Sequence, residues 1–107
     1  MKRKILIVED NVGLSQIQKD WLSRAGYDAV TAMSEPIARS LIRRMQFDLI
    51  LSDVRLPEGN GISLLEWLRK EKKDIPFIIT TEYVSVPDVV RTIKLGARDY
   101  LPKPVHR

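Results

Sequence analysis

The stretch Phe47-Asp48-Leu49-Ile50-Leu51-Ser52-Asp53-Val54-Arg55-Leu56-Pro57-Glu58-Gly59-Asn60-Gly61 runs an apolar segment straight into an acidic residue and then halts at turn-formers. Leu49-Ile50-Leu51 is short and apolar on both faces, and Pro57, Gly59 and Gly61 close it. That pattern predicts a strand buried in a parallel sheet rather than a helix. A carboxylate at the end of such a strand is poorly placed for stability, yet the carboxyl ends of the strands are where open α/β sheets bind ligands. Asp is also favoured in turns, so this segment alone leaves Asp53 readable as a simple turn residue.

Working outward, Lys4 to Val8 is a second apolar run, and it too ends on acid, at Glu9-Asp10. Asn11 is a good N-cap, and Leu14, Ile17 and Trp21 follow at helical spacing, with Leu22 and Ala25 beside them, until Gly26 supplies a left-handed stop. Tyr27 to Ala32 reads as a weak second strand. Ser34 followed by Glu35-Pro36 starts a second helix, whose face is marked by Ile37, Ala38, Leu41, Ile42 and Met45. Past the Asp48 to Asp53 strand, Ile62, Leu64, Leu65 and Leu68 give a third helix with Trp67 beside them, and Arg69 to Lys73 end it on positive charge. Phe77 to Thr80 is a fourth, fully apolar strand. Ser85-Val86-Pro87-Asp88 has the form of a capping box, with Val86, Val89, Val90 and Ile93 defining helix four up to Gly96. Arg98 to Leu101 is a short fifth strand, and Pro102-Lys103-Pro104 a rigid corner. Trp21 and Trp67 read as helix packing, and His106 as incidental.

Strand and helix alternate with short links, which predicts an α/β fold: a doubly wound, five-stranded parallel sheet with helices on both faces. The chain has 107 residues, enough for one domain with its own core and no room for a second. No cysteine is present, which removes disulfides and thiolate chemistry and is compatible with a cytoplasmic location. Apolar runs are far shorter than the ~20 residues of a membrane helix, and the basic start leads into too short an apolar run for a signal peptide. The net charge of +4 comes from 18 basic and 14 acidic residues. The basic side chains are spread over wet helix faces instead of gathering on one element, so direct nucleic-acid binding is not expected.

In such a sheet the first and third strands can be neighbours at the point where the winding reverses, giving an order of 2-1-3-4-5. Glu9, Asp10 and Asp53 would then converge. Carboxylates so close repel and raise one another's pKa unless a cation neutralises them. A hard divalent ion, above all Mg²⁺, suits oxygen ligands and phosphate; with no His or Cys nearby, zinc does not. Thr81 follows strand four and Lys103 follows strand five, at the same edge. Each has a plain surface or strand-end reading in isolation, but together a carboxylate nucleophile, a metal, a hydroxyl and an ammonium describe a phosphoryl site.

Ile7-Val8-Glu9-Asp10-Asn11, Leu51 to Pro57 with Gly61, then Thr81, then Gly96 to Pro104, at these spacings, resemble the receiver domain of two-component response regulators. The resemblance covers all 107 residues and implies the flavodoxin-like strand order. It implies that Asp53 accepts a phosphoryl group from the phosphohistidine of a sensor histidine kinase, and that the domain catalyses its own phosphorylation and dephosphorylation without being a turnover enzyme. It further implies that Glu9, Asp10, Asp53 and the Arg55 backbone carbonyl hold Mg²⁺, that Thr81 and Lys103 bind the phosphoryl oxygens, and that Tyr100 is an aromatic switch. Pulling Thr81 inward would free space for the Tyr100 ring and alter the helix 4/strand 5 face, where a partner or a second copy would read the state. The chain ends where a fifth helix would cover the last strand, so that helix is expected to be truncated or absent, in a receiver cut from the N-terminal part of a longer regulator.

Ser52 to Pro57 and Gly96 to Pro104 look most similar to receivers of nitrogen-regulation-type enhancer-binding transcription activators, a resemblance that implies effector domains and a transcriptional output in the parent chain. Departures from the family pattern are Glu9 where many members carry Asp, Glu82 where a small residue is usual, and Asn60 where Asp is common. Arg55 and Tyr83 stand two residues beyond Asp53 and Thr81, where water would reach an acyl phosphate. A phosphate-independent protein-interaction receiver is the alternative, since Glu82 could impair the site. A haloacid-dehalogenase-type phosphatase would want Asp where Arg55 stands. A flavodoxin-like FMN carrier would find its phosphate repelled by Glu9-Asp10.

Overall fold

The computed structural model describes residues 2–82 and 85–103; Tyr83, Pro104 and His106, singled out above, lie outside the described residues. Five parallel strands, β1 Lys4–Val8, β2 Asp28–Ala32, β3 Leu49–Asp53, β4 Phe77–Thr81 and β5 Asp99–Pro102, form one sheet in the order β2-β1-β3-β4-β5. Four helices alternate with them: α1 Val12–Arg24, α2 Glu35–Arg44, α3 Gly61–Lys70 and α4 Val86–Lys94. The expected architecture and strand order are both present. Pairing of β1 with β3 sets Val8 beside Ser52, so that Glu9-Asp10 and Asp53 leave the sheet side by side.

The main core lies on one face, where Leu6, Val8, Ile50, Phe77 and Ile79 meet Leu64, Leu65 and Leu68 of α3 and Ala38 and Ile42 of α2. Helices α2, α3 and α4 pack in sequence on this side, while α1 packs on β1 and β2. Because side chains alternate along a strand, the buried Ile5 and Ile7 belong to the α1 face.

Three helical stripes differ from expectation. Ile17 and Trp21 of α1 are 47% and 58% exposed, and Trp21 borders an apolar groove with Leu22, Leu51, Leu101 and Pro102. The helix instead lays Leu14, Ser15, Gln18 and Leu22 inward, because it crosses near one edge of the sheet and covers little of β3 to β5. In α2, Ile37 faces outward while Glu35 is buried. In α4, Val86, Val90 and Ile93 are exposed and Thr92 is buried. An apolar stripe signals a helix without saying which way it faces.

Arg69, at the end of α3, donates to the carbonyls of Leu95, Lys73, Ile75 and Gly96. The guanidinium thereby ties the ends of α3 and α4 to the entry of β4. Helices α1, α3 and α4 all close with the same pair of hydrogen bonds, Tyr27 N–H to Leu22 and Gly26 N–H to Ser23 in the first case, which is the Schellman turn. Gly26 and Gly96 supply the left-handed residue for α1 and α4, but in α3 it is Lys72, at φ 57°. A side chain in that region costs about 1 kcal/mol relative to glycine. Lys72→Gly is therefore expected to raise stability by about 0.5–1 kcal/mol, measured as a higher urea midpoint with an unchanged slope.

Candidate functional site

Four of the five strands, β1, β3, β4 and β5, deliver chemical groups to the same edge. The turn from β1 into α1 carries Glu9, Asp10 and Asn11; Asn11 caps α1 by accepting from the Leu14 N–H at 2.9 Å. Glu9 is buried, and its Oε2 accepts from the Asn11 N–H at 3.1 Å. Asp10 stays exposed on the rim. Asp53 ends β3 and is itself buried, with Oδ1 accepting from the Arg55 N–H at 3.4 Å. The chain turns sharply just beyond: Gly61 donates its N–H to the Val54 carbonyl, and a Cβ at Gly61 would lie 2.2 Å from the Asp53 carbonyl oxygen. Only glycine permits that approach.

Lys103 enters from the far side of the sheet. Its backbone N–H donates to the Thr81 carbonyl at 2.7 Å, tying the end of β5 to the end of β4. Its ammonium donates to Asp53 Oδ2 at 2.9 Å and stands 2.8 Å from Glu9 Oε1. The second contact is a buried ion pair. Carboxylate oxygens of Glu9, Asp10 and Asp53 all lie within 4.8 Å of one another. Three carboxylates thus face one ammonium, and the crevice stays net negative.

This arrangement perturbs the titrations. Burial raises the Glu9 carboxyl above its ordinary value, helped by the Asp53 charge and opposed by Lys103 and the Asn11 amide. Burial by itself would depress the Lys103 ammonium, but Glu9 and Asp53 more than offset it and the net shift is upward. Both shifts reflect buried carboxylates gathered around an ammonium that they keep charged.

A crevice of about 220 Å³ opens over these groups, lined by Glu9, Asp10, Asn11, Asp53, Arg55, Thr81, Glu82 and Lys103. Six of the seven expected site residues are therefore gathered there: Glu9, Asp10, Asp53, Arg55, Thr81 and Lys103. Tyr100 is not part of the lining. It packs half-buried against the core from β5, and its Oη is buried without a full hydrogen bond among the described residues. Burial raises its phenol pKa, the Ser85 backbone opposing and the Asp88 charge adding to the effect. The donor set fits a hard cation: clustered carboxylates, no nitrogen or sulfur ligand in the crevice lining, and a rim open to water.

Two features escaped the sequence reading. Asn11 was read as a cap alone, although its amide also holds Glu9. Glu35, at the first position of α2, gave the signal of an ordinary helix-dipole acid, yet it is buried and bonded to the loop that follows Asp53.

A parallel α/β sheet with an acid and lysine crevice at its carboxyl edge is the architecture of a signalling receiver. The sequence matches the family described as response regulator receiver domain over residues 5–107. Response regulator protein PilR of Pseudomonas aeruginosa is 35% identical over 104 residues, covering 97% of this chain and 23% of that protein. Transcriptional regulatory protein ZraR of Escherichia coli is 39% identical over 101 residues, covering 94% of this chain and 23% of that protein. The non-phosphorylated HemR receiver domain from Leptospira biflexa superposes with a TM-score of 0.91 at 39% identity, covering 98% of this chain and 85% of that one. The chain belongs to the receiver domains of two-component response regulators, and it spans less than a quarter of the length of PilR and ZraR. ZraR and several other relatives are named as transcriptional regulators, as the likeness to nitrogen-regulation-type activators implied.

The raised Glu9 value fixes the sign of a pH effect. The neutral carboxyl's contribution to stability is full below the ordinary value of 4.5 and is lost as pH rises through the folded-state value. Lys103→Met leaves two buried carboxylates without their counter-charge, so it is expected to destabilise the domain by on the order of 2 kcal/mol at about pH 7.5, and by much less at about pH 4. Urea denaturation at the two pH values checks this; an equal loss at both would mean that Lys103 acts through packing.

Proposed function

We propose that the domain is a phosphorylation-activated switch in which Asp53 accepts a phosphoryl group from the phosphohistidine of a sensor histidine kinase. The observation that carries the reading is the Lys103 ammonium bonded to Asp53 Oδ2 at 2.9 Å, at the floor of a crevice with an acidic rim. An Asp53 carboxylate oxygen attacks phosphorus, the bond from phosphorus to the donor nitrogen breaks, and the nitrogen keeps the electron pair. Lys103 and Thr81 hold the phosphoryl oxygens, and Lys103 offsets the charge that arrives. Glu9, Asp10, Asp53 and the backbone carbonyl of Arg55 would hold Mg²⁺, which supplies further neutralisation of phosphoryl charge. The same crevice would admit water for the domain's own dephosphorylation.

The output follows from the opposite side of β5. Once phosphorylated, the site draws Thr81 inward and the half-buried Tyr100 ring shifts, so that α4 and β5 present a different surface. Exposed Val86, Val90 and Ile93 of α4 suit a face that docks a second copy or an effector domain of the parent chain. In that parent the output is transcriptional and the location cytoplasmic; among the described residues no helix is long and apolar enough to cross a membrane.

Glu82 lines the same crevice and adds repulsion toward an anionic donor, which favours a phosphate-independent interaction domain as the second reading. Incubation with Mg²⁺ and a small acyl phosphate, or with the cognate kinase, decides between them. The expected result is an intact-mass gain of one phosphoryl group that is lost in Asp53→Asn. No gain in wild type, together with no Mg²⁺ binding in a titration, would leave the second reading standing.

A further inference from the structure

Glu35 is the one buried carboxylate among the described residues that the phosphoryl site does not employ. It is 4% exposed, and its partners come from the loop joining β3 to α3, from α3 and from α2 itself. Oε1 accepts the Asn60 N–H at 3.0 Å. Oε2 accepts the Arg39 Nε–H at 2.9 Å and the Ser63 hydroxyl at 3.4 Å, and it is ion-paired with the Arg39 guanidinium. The Glu35 backbone N–H adds a bond to the Glu58 carbonyl at 3.4 Å.

The loop is shaped around this carboxylate. Gly59 has φ +85°, and a Cβ there would lie 1.9 Å from Glu35 Oε1, so the backbone comes as near as glycine allows. Asn60, held by Glu35, in turn pairs with Arg55 in an isolated antiparallel bridge. The Asn60 side chain also caps α3 by accepting from the Ser63 N–H at 2.7 Å. The path from Glu35 to the peptide unit of Arg55 is therefore a single strand-like bridge.

We propose that Glu35 is a positioning residue for the phosphoacceptor site: from the start of α2 it fastens the Gly59-Asn60 backbone and so holds the Arg55 carbonyl in place for a divalent cation. The proposal rests on the reading of that carbonyl as a metal ligand. A carbonyl on a loop is a good ligand only if its direction is fixed before binding, since ordering it on binding would subtract from affinity. Arg39 extends the fastening by laying its guanidinium over the Trp67 ring, 5.1 Å from the centroid, which keeps the Glu35 partner itself in place.

The test is Mg²⁺ titration calorimetry on the folded domain, with amide hydrogen exchange at Arg55 and Asn60 as a second readout. Glu35→Gln keeps the shape but cannot accept from both Asn60 and Arg39, and Gly59→Ala pushes a methyl into the Glu35 carboxylate without altering α2. Each is expected to weaken Mg²⁺ binding about tenfold, as loss of an outer-shell partner does, and to speed exchange at Asn60. The double variant is expected to be little worse than either single one. Ile42→Val, which loosens α2 from the core elsewhere, is expected to leave Mg²⁺ affinity unchanged. Wild-type affinity in both loop variants overturns the proposal, as does an equal loss in Ile42→Val, which would reduce Glu35 to general stability. Absence of Mg²⁺ binding in wild type removes the cation site itself, and this inference with it; faster Asn60 exchange with normal Mg²⁺ affinity removes only the inference.

Discussion

One ammonium shared by two buried carboxylates is the constraint around which the molecule is arranged. Glu9 and Asp53 come from neighbouring strands, and without Lys103 between them their repulsion would work against the pairing of β1 with β3 at its carboxyl end. Lys103 in turn arrives only because β5 is the fifth strand of a parallel sheet and its end is tied to the Thr81 carbonyl. A charge so enclosed interacts more strongly than it would in water, but it has also lost its hydration, and the balance between the two is delicate. The cluster is net negative even with the lysine in place. It is thus better suited to receiving a cation and a phosphoryl group than to stabilising the fold by itself, which is the usual condition of an active site.

Parallel topology makes that gathering inexpensive in residues. Every strand of a doubly wound sheet points the same way, so five short segments end at one edge without any need for long loops. The turn residues at each end then decide what the edge carries. Gly61 lets the chain after β3 fold back within contact of Asp53, and Asn11 caps one helix while its amide steadies Glu9. Local backbone requirements and the chemistry of the site are met by the same few residues.

Most of this was legible in the sequence, for definite reasons. Apolar runs ending at Glu9-Asp10, Asp53 and Thr81 marked both the strands and the functional edge, because a fully apolar strand followed at once by acid or hydroxyl is rare in a plain core. Helix ends were legible wherever Gly26, Gly96, Ser34 or Ser85 advertised a cap. Orientation was not. Trp21, Ile37 and, in α4, Val86 and Val90 lie on apolar stripes that a one-dimensional reading turns inward, whereas the fold leaves them exposed. Glu35 was illegible for the opposite reason: an acid at the first turn of a helix looks solvated by default, and only the fold brings Gly59 and Asn60 over it.

Arg69 has a consequence for how the α4 surface can respond. Its guanidinium grips the carbonyls at the rear of α4 together with those at the entry to β4, whereas the front of that helix opens on the Ser85 cap with Val86 exposed. Displacement of α4 is therefore resisted at Leu95 and Gly96. The helix is thus moored at its carboxyl end beside α3 and presents an exposed apolar start.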